Sequence, residues 1–156
     1  EQLEIFIISK EDVNKEKLSK SFSDLTGNDY KENGEIEILG RKIETVKKAK
    51  GSVWFDFKEL CEGPRSAKDY IEICTEFHTI FVSEIPIFST DKEDSARRFI
   101  ALIDECYERK VNLILSLEAA LEDLYKGKKL IEPYKRTLSR LVEMRSREYL
   151  SKPHLG

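Results

Sequence analysis

The sequence predicts an α/β domain: a largely parallel central sheet, flanking helices and an N-terminal hairpin, within a single domain spanning all 156 residues. Three observations carry that expectation. Beyond Gly51, short apolar runs alternate with amphipathic stretches in the order strand, helix, strand, helix, strand, helix, the pattern of parallel pairing through crossovers. The run Val111–Leu115 has too few polar residues for an open surface and reads as a strand covered on both faces. Glu35 to Val46 alternates around Gly40, as a hairpin does. Residues 1–60 are the strand-rich part, and 61–156 the part in which strands and helices alternate.

In chain order, Leu3 to Ile8 reads as a strand. Lys15 to Thr26 reads as a helix with Leu18, Phe22 and Leu25 on one stripe, and Gly27 as its stop. The hairpin pairs IEIL with KIETV. Gly51-Ser52 punctuates before the aromatic-rich strand Val53–Phe57. Pro64 sits near a helix start, and Ser66-x-x-Asp69 has the form of a capping box ahead of Tyr70, Ile71, Cys74 and Phe77. Thr79 to Val82 is a short strand closed by Pro86. In the next helix Phe99, Ile100, Leu102, Ile103, Cys106 and Tyr107 gather on one side of a wheel of about 100° per residue, opposite Arg97, Asp104 and Glu108. Leu121 to Tyr125 starts a short helix ended by Gly127, and Tyr134 to Leu150 forms the last helix, before Pro153.

Charged residues make up 37% of the chain and apolar residues 40%, the balance of a globular domain with a heavily charged surface. No apolar run approaches the roughly 20 residues of a membrane helix. The chain starts Glu1-Gln2-Leu3-Glu4 without Met and reads as trimmed, so missing targeting signals carry no information. Cys61, Cys74 and Cys106 are odd in number and lack C-x-x-C spacing, which argues against a disulfide framework or zinc site and for a reducing compartment. His78 and His154 are too few ligands for a His-based metal site. From Lys126 to Lys152 nine Lys and Arg face three Glu, a local charge of +6 that leaves −9 for the rest of a chain whose net charge is −3. A basic end on an acidic body suits a surface that docks an anion or an acidic neighbour, and equally a solvated helix.

A P-loop requires G-x-x-x-x-G-K-[ST], so that bare amides wrap the phosphates. The one Gly-Lys pair, Gly127-Lys128, is followed by Lys129 and has Glu122 where the first glycine belongs, so the motif is absent. Ile100 to Ile103 followed by Asp104-Glu105 imitates a Walker B strand, but its apolar positions continue at helical spacing to Cys106 and Tyr107. Asp104 and Glu105 therefore belong on a helix face, with Glu105 four residues before Arg109. Ser116 and Glu118 follow an apolar strand at the edge where α/β folds place ligands; they read either as a phosphate-sensing pair or as a turn or helix cap. Arg97 and Arg98 can offer guanidinium groups to a phosphate across a subunit boundary, or pair with Asp91, Glu93 or Asp94. Arg65, after Gly63-Pro64, is a further anion-site candidate at a helix start.

In the last helix Arg136, Arg140 and Arg147 fall within about 40° of one another. Arg145 lies amid Tyr134, Leu138, Leu141, Val142 and Tyr149 and is expected to be at least partly buried and paired with a carboxylate. The three cysteines read as core thiols. Nucleophilic Ser/His/Asp or Cys/His sites have no support, and with Tyr134 and Tyr149 the only aromatics in the basic tail, neither has a nucleic-acid surface.

The strings DSARRFIALIDECYE, GPRSAKDYIE and Phe77-His78-Thr79, with SRLVEMRSREYL, resemble the C-terminal part of the AFG-type, ZapE-like P-loop ATPases. The resemblance covers about Glu35 to Leu155. It implies a P-loop α/β fold of the AAA+ type, with Walker A, Walker B and the first sensor upstream of Glu1. ATP and Mg²⁺ would then be bound by the full-length protein and neither by this fragment, which is expected to be inactive alone. The implied partners are the ATPase half of the same chain, further copies in a homo-oligomer, and either the division ring of a bacterial cytoplasm or clients of mitochondrial protein quality control. Nucleotide or subunit contact falls to Arg97, Arg98, Arg65, Ser116, Glu118 and Arg140. Three positions depart from the family's usual pattern: Cys106 replaces an aromatic after Asp-Glu, Ala119-Ala120 stands where a proline commonly follows Ser-x-Glu, and Arg145 stands for a Gln. Two other readings remain: a protein-binding or oligomerisation module with no nucleotide contact, and a free-standing degenerate P-loop domain.

Overall fold

The computed structural model describes residues 6–8, 11–145 and 153–155. A six-stranded sheet runs through the domain. Its strands are β1 (Phe6–Ile8), β2 (Lys31–Glu32), β5 (Lys47–Lys48), β6 (Ser52–Asp56), β7 (Thr79–Ile85) and β8 (Asn112–Leu117), in the spatial order β1-β8-β7-β6-β5-β2. The four strands from β1 to β6 pair in parallel, and β5 and β2 add an antiparallel edge. Separate from it, β3 (Glu35–Ile38) and β4 (Arg41–Glu44) form the expected hairpin. Its turn places Leu39 and Gly40 at φ 51° and 80°, the left-handed pair that matches the twist of two antiparallel strands.

Alternation along the strands sorts the core onto two faces. Trp54, Phe81 and Ile114 point to one face and pack beneath Leu18 and Phe22 of α1 (Glu11–Thr26), with Phe22 edge-on to Phe81 at 5.0 Å between ring centroids. Val53, Phe55, Ile80, Val82, Leu113 and Leu115 point to the other. That face is covered by α2 (Phe57–Cys61), α3 (Ala67–Glu76), α4 (Glu93–Glu108) and α6 (Ile131–Met144), with the four-residue α5 (Leu121–Leu124) beside them. Helices α3 and α4, which connect β6 to β7 and β7 to β8, thus lie side by side on one face.

Several boundaries move. Phe57 belongs to α2 rather than to the preceding strand, β7 continues to Ile85, and β8 continues through Ser116 to Leu117. The last helix opens at Ile131, and the expected stretch beyond Arg145 lies outside the described residues. Arg145 itself corrects the reading made from the wheel: it is exposed, not buried. The buried side of α6 is Tyr134, Thr137, Leu141 and Met144, which turns the apolar face away from position 145, and the helix ends there with Arg145 as its C-cap.

Candidate functional site

Three of the arginines singled out in the sequence converge. Gly63-Pro64 ends the chain's helical path after α2, and Ser66 reopens it. Ser66 and Asp69 form the reciprocal capping box of α3, with the Ser66 amide donating to Asp69 Oδ2 at 2.8 Å. This fixes the first turn of α3 against the N-terminal half of α4. Between them lies a cleft of about 300 Å³ lined by Arg65, Ser66, Tyr70, Asp94, Arg97 and Arg98 among others.

Each guanidinium is held differently. The Arg65 side chain is only 7% exposed, with Nη2 3.6 Å from Glu59 Oε1, and its Nε is buried without a hydrogen-bond partner among the described residues. Arg98 Nη1 donates to the Cys61 carbonyl at a long 3.4 Å. Arg97 is 56% exposed and its Nη1 lies 3.4 Å from Asp94 Oδ1 one turn earlier, the local pairing that the sequence offered as the plain alternative. Arg41, which the sequence did not single out, ties the hairpin to the capping box: it donates to the Pro64 carbonyl at 2.9 Å and pairs with Asp69. Asp69 is itself 1% exposed on its side chain. Beneath the cleft, Tyr70 donates from its hydroxyl to the Leu60 carbonyl at 3.0 Å, and burial raises its pKa. Burial likewise pushes the neighbouring Cys61 thiol up to about 12. The wall therefore carries fixed positive charge, with Asp94 the one carboxylate among the six lining residues named.

The other candidates lie elsewhere. Arg140 pairs with Asp104 across α4 and α6 and sits 5.0 Å from the centre of the Tyr107 ring. Asp104 and Glu105 are on a helix, as the periodicity requires, with Glu105 3.7 Å from Arg109. Arg136 is exposed on α6, and Arg147 lies outside the described residues. Ser116 is buried inside β8, in register with Ile7 of β1. Glu118 caps no helix, since Ala120 is the N-cap of α5. Its carboxylate instead accepts from the Ile87 amide at 2.8 Å while its own amide donates to the Ile85 carbonyl at 2.9 Å, tying down the chain that leaves β7.

In the Gly127-Lys128-Lys129 loop the backbone amides are already engaged within the domain. The amides of Lys128 and Lys129 donate to Glu93 Oε2 at 2.7 and 2.9 Å, and the Tyr125 hydroxyl donates to Glu93 Oε1 at 2.6 Å. A carboxylate from the start of α4 thus fills the place an anion would take. A Cβ on Gly127 would come within 2.6 Å of both Glu93 Oε1 and the Tyr125 hydroxyl. The sequence offered Glu93 only as a partner for Arg97 or Arg98; its actual partners were missed because they are more than thirty residues away. Among the described residues no group of three or more His, Cys, Asp or Glu is placed to hold a metal ion. No helix among the described residues is long and apolar enough to cross a membrane.

Residues 1–153 match the AFG1-like ATPase family. The chain is 36% identical over 155 residues to the cell division protein ZapE of Escherichia coli K12, covering 99% of this chain and 41% of that protein. It is 44% identical over 92 residues to an uncharacterized protein of Schizosaccharomyces pombe, covering 58% of this chain and 20% of that one. It is 36% identical over 90 residues to lactation elevated protein 1 homolog B of Danio rerio, covering 57% and 18%. The chain thus spans well under half the length of the curated relatives it matches. No solved structure gives a significant match.

Proposed function

This chain belongs to the AFG1-like ATPase family, and on that premise we propose that it is the C-terminal part of a longer P-loop enzyme that hydrolyses ATP with Mg²⁺. The observation that carries the reading is the family match along nearly the whole chain, in a sequence that has no G-x-x-x-x-G-K-[ST] of its own. The nucleotide-binding half is then supplied by the rest of the protein. This part contributes arginines, with Arg97 and Arg98 first and Arg65 beside them, to nucleotide or to a neighbouring copy in a homo-oligomer. A guanidinium that arrives only in the assembled state stabilises developing phosphoryl charge rather than bound substrate.

The cellular setting we propose is bacterial division, acting on the division ring in the cytoplasm. In support, the match to the bacterial cell division protein covers 99% of the chain, whereas the two eukaryotic matches cover 58% and 57%. Mitochondrial protein quality control is the alternative. A second functional reading is a docking module without nucleotide contact; its support is that Arg97 and Arg98 each already have an acceptor within the domain and Arg65 an ion-pair partner.

The test measures Mg²⁺-dependent phosphate release by the full-length protein and by the 156-residue chain. Turnover is expected in the first and none in the second, whose sequence has no G-x-x-x-x-G-K-[ST] to wrap the triphosphate. Full-length protein without turnover overturns the ATPase reading, and heat-labile turnover by the short chain overturns the division of labour. Single Arg97→Ala, Arg98→Ala and Arg65→Ala variants of the full-length protein then discriminate between the two readings. Lower turnover with ATP affinity retained supports the contribution of the arginines, and unchanged turnover in all three leaves a docking module.

A further inference from the structure

We infer that the cleft between α3 and α4 is a phosphate-binding site in its own right, suited to a phosphoryl group rather than to a nucleotide's base. This deepens the reading of the same arginines given above, but it concerns a property of the isolated chain that does not require ATP hydrolysis.

Three features point to an oxyanion. The first is charge: Arg65, Arg97 and Arg98 face one cleft from two separate segments, and Asp94, the one carboxylate with them, is 84% exposed and paired with Arg97 only at 3.4 Å. The nearby acids are already engaged, Glu59 by Arg65 itself. Asp69 is taken by Arg41 and the Ser66 amide, and Glu59 lies between Arg65 and the Glu44 amide at 3.6 and 3.2 Å. The second is unspent donor capacity. A guanidinium has five N–H donors. Arg65 is nine-tenths buried, its Nε bonds to nothing among the described residues, and its contact to Glu59 is longer than a hydrogen bond. Leaving such a donor unmet costs stability, so Arg65 is held beside the cleft with donor capacity that the domain itself does not use. The third is the first turn of the ten-residue α3, whose opening residues Ser66 and Ala67 line the same cleft and whose dipole favours negative charge there.

Size and lining select within the oxyanions. About 300 Å³ lies at the bottom of the range for small-molecule pockets, and Tyr70, the aromatic residue in the lining, is fully buried and offers no face on which a base can stack. The guanidinium forks match a tetrahedral phosphate. The phosphoryl group can come from free inorganic phosphate or from the terminal phosphate of a nucleotide, with the adenosine left outside the cleft.

The experiment is a titration of the ¹⁵N-labelled 156-residue chain with inorganic phosphate at constant ionic strength, read from amide shifts and arginine side-chain resonances. The parallel arms use sodium chloride, ATP without metal, and adenosine. Saturable shifts at Ser66, Ala67, Arg97 and Arg98 are expected with phosphate and none with chloride or adenosine. If ATP competes with phosphate, the nucleotide is a source; if phosphate saturates and ATP does not compete, free phosphate is. The Arg97→Ala/Arg98→Ala double variant is expected to weaken binding at least tenfold, and Arg136→Ala, on exposed α6 surface, to leave it unchanged. An unaltered amide spectrum away from the cleft checks that the double variant remains folded. Non-saturable shifts, shifts equal in chloride, or binding that survives the double variant each overturn the inference. The ATPase reading survives that failure, because its own test uses the full-length protein.

Discussion

Replacing Asp69 with Ala tests whether the wall of the cleft is set by the helix cap or by the ion pair beneath it. The Asp69 side chain is 1% exposed and accepts from the Ser66 amide at 2.8 Å and from Arg41. Losing the cap leaves the Ser66 amide without this acceptor and costs about 1 kcal/mol. The Arg41 side chain is 43% exposed, so water replaces part of what it loses and the ion pair itself is worth under about 1 kcal/mol. Together these give roughly 1–2 kcal/mol, or a fall in Tm of about 2–8 °C for a domain of this size. Arg41→Met, which leaves the cap intact, should cost less than Asp69→Ala. The Arg41→Met/Asp69→Ala double variant should lie close to Asp69→Ala alone, because the two residues share one interaction. The assay is urea unfolding followed by circular dichroism and by fluorescence of the single Trp54, with the slope unchanged across variants. A loss below about 0.5 kcal/mol for Asp69→Ala, within the range of ordinary surface changes, or a larger loss for Arg41→Met, would refute the reasoning.

Two further outcomes follow from groups buried away from the cleft. The thiols of Cys61, Cys74 and Cys106 are buried, and desolvation raises the pKa of Cys61 and Cys106; an aromatic disulfide reagent at mildly alkaline pH should leave the folded chain unlabelled for as long as it stays folded, and label all three at once in denaturant, whereas rapid labelling of the native chain contradicts that burial. Glu93 has its carboxyl pKa lowered, first by the Tyr125 hydroxyl and then by the Lys128 amide, so its contribution to stability is present above the ordinary glutamate value of 4.5 and is lost as the pH falls toward the depressed one; Glu93→Gln should flatten the loss of stability as the pH falls below 4.5, and an acid limb as steep as the wild type's shows that other carboxylates carry it.

What could be read from the sequence was what depends on near neighbours. The α4 wheel was legible because sixteen residues repeat one periodicity, and the α3 cap because its partners are three residues apart. The pair β2 and β5 and the helix α2 were not legible, since strands of two residues and a helix of five fall below any periodic signal. Arg145 was misplaced for a chemical reason. Thr137 reads as polar, yet its hydroxyl donates to the Pro133 carbonyl at 3.2 Å and the residue is 1% exposed, so the buried face of α6 centres on Thr137 rather than on the row through Leu138 and Arg145. In the cleft, the individual arginines were visible but their convergence was not. It depends on Arg41 meeting Asp69 across 28 positions and on Glu93 meeting Lys128 across 35, separations at which residue type alone carries no pairing information.

Those two long-range contacts also bear on how the arginines are held. Helix α4 is clamped at both ends. At its start Glu93 is gripped by the loop that precedes α6. Near its end Asp104 pairs with Arg140 of α6, and Tyr107 donates to Glu143 at 2.8 Å. Arg97 and Arg98 lie between the clamps, one turn after Glu93, facing the turn of α3 that the Ser66–Asp69 box and Arg41 keep in place. Neither wall of the cleft therefore depends on an anion for its position. The positive charge is gathered at the expense of the domain's own stability, since like charges repel and Arg65 keeps a buried donor unmet, and a ligand or neighbouring chain that supplies the oxyanion meets a site already in its binding geometry. Pre-organisation of this kind lowers the ordering cost of association. Weakening a clamp, as Glu93→Gln does, should accordingly weaken phosphate binding at the cleft although Glu93 does not line it. In the same titration, Glu93→Gln with wild-type affinity would show that the arginines hold their geometry without the clamp.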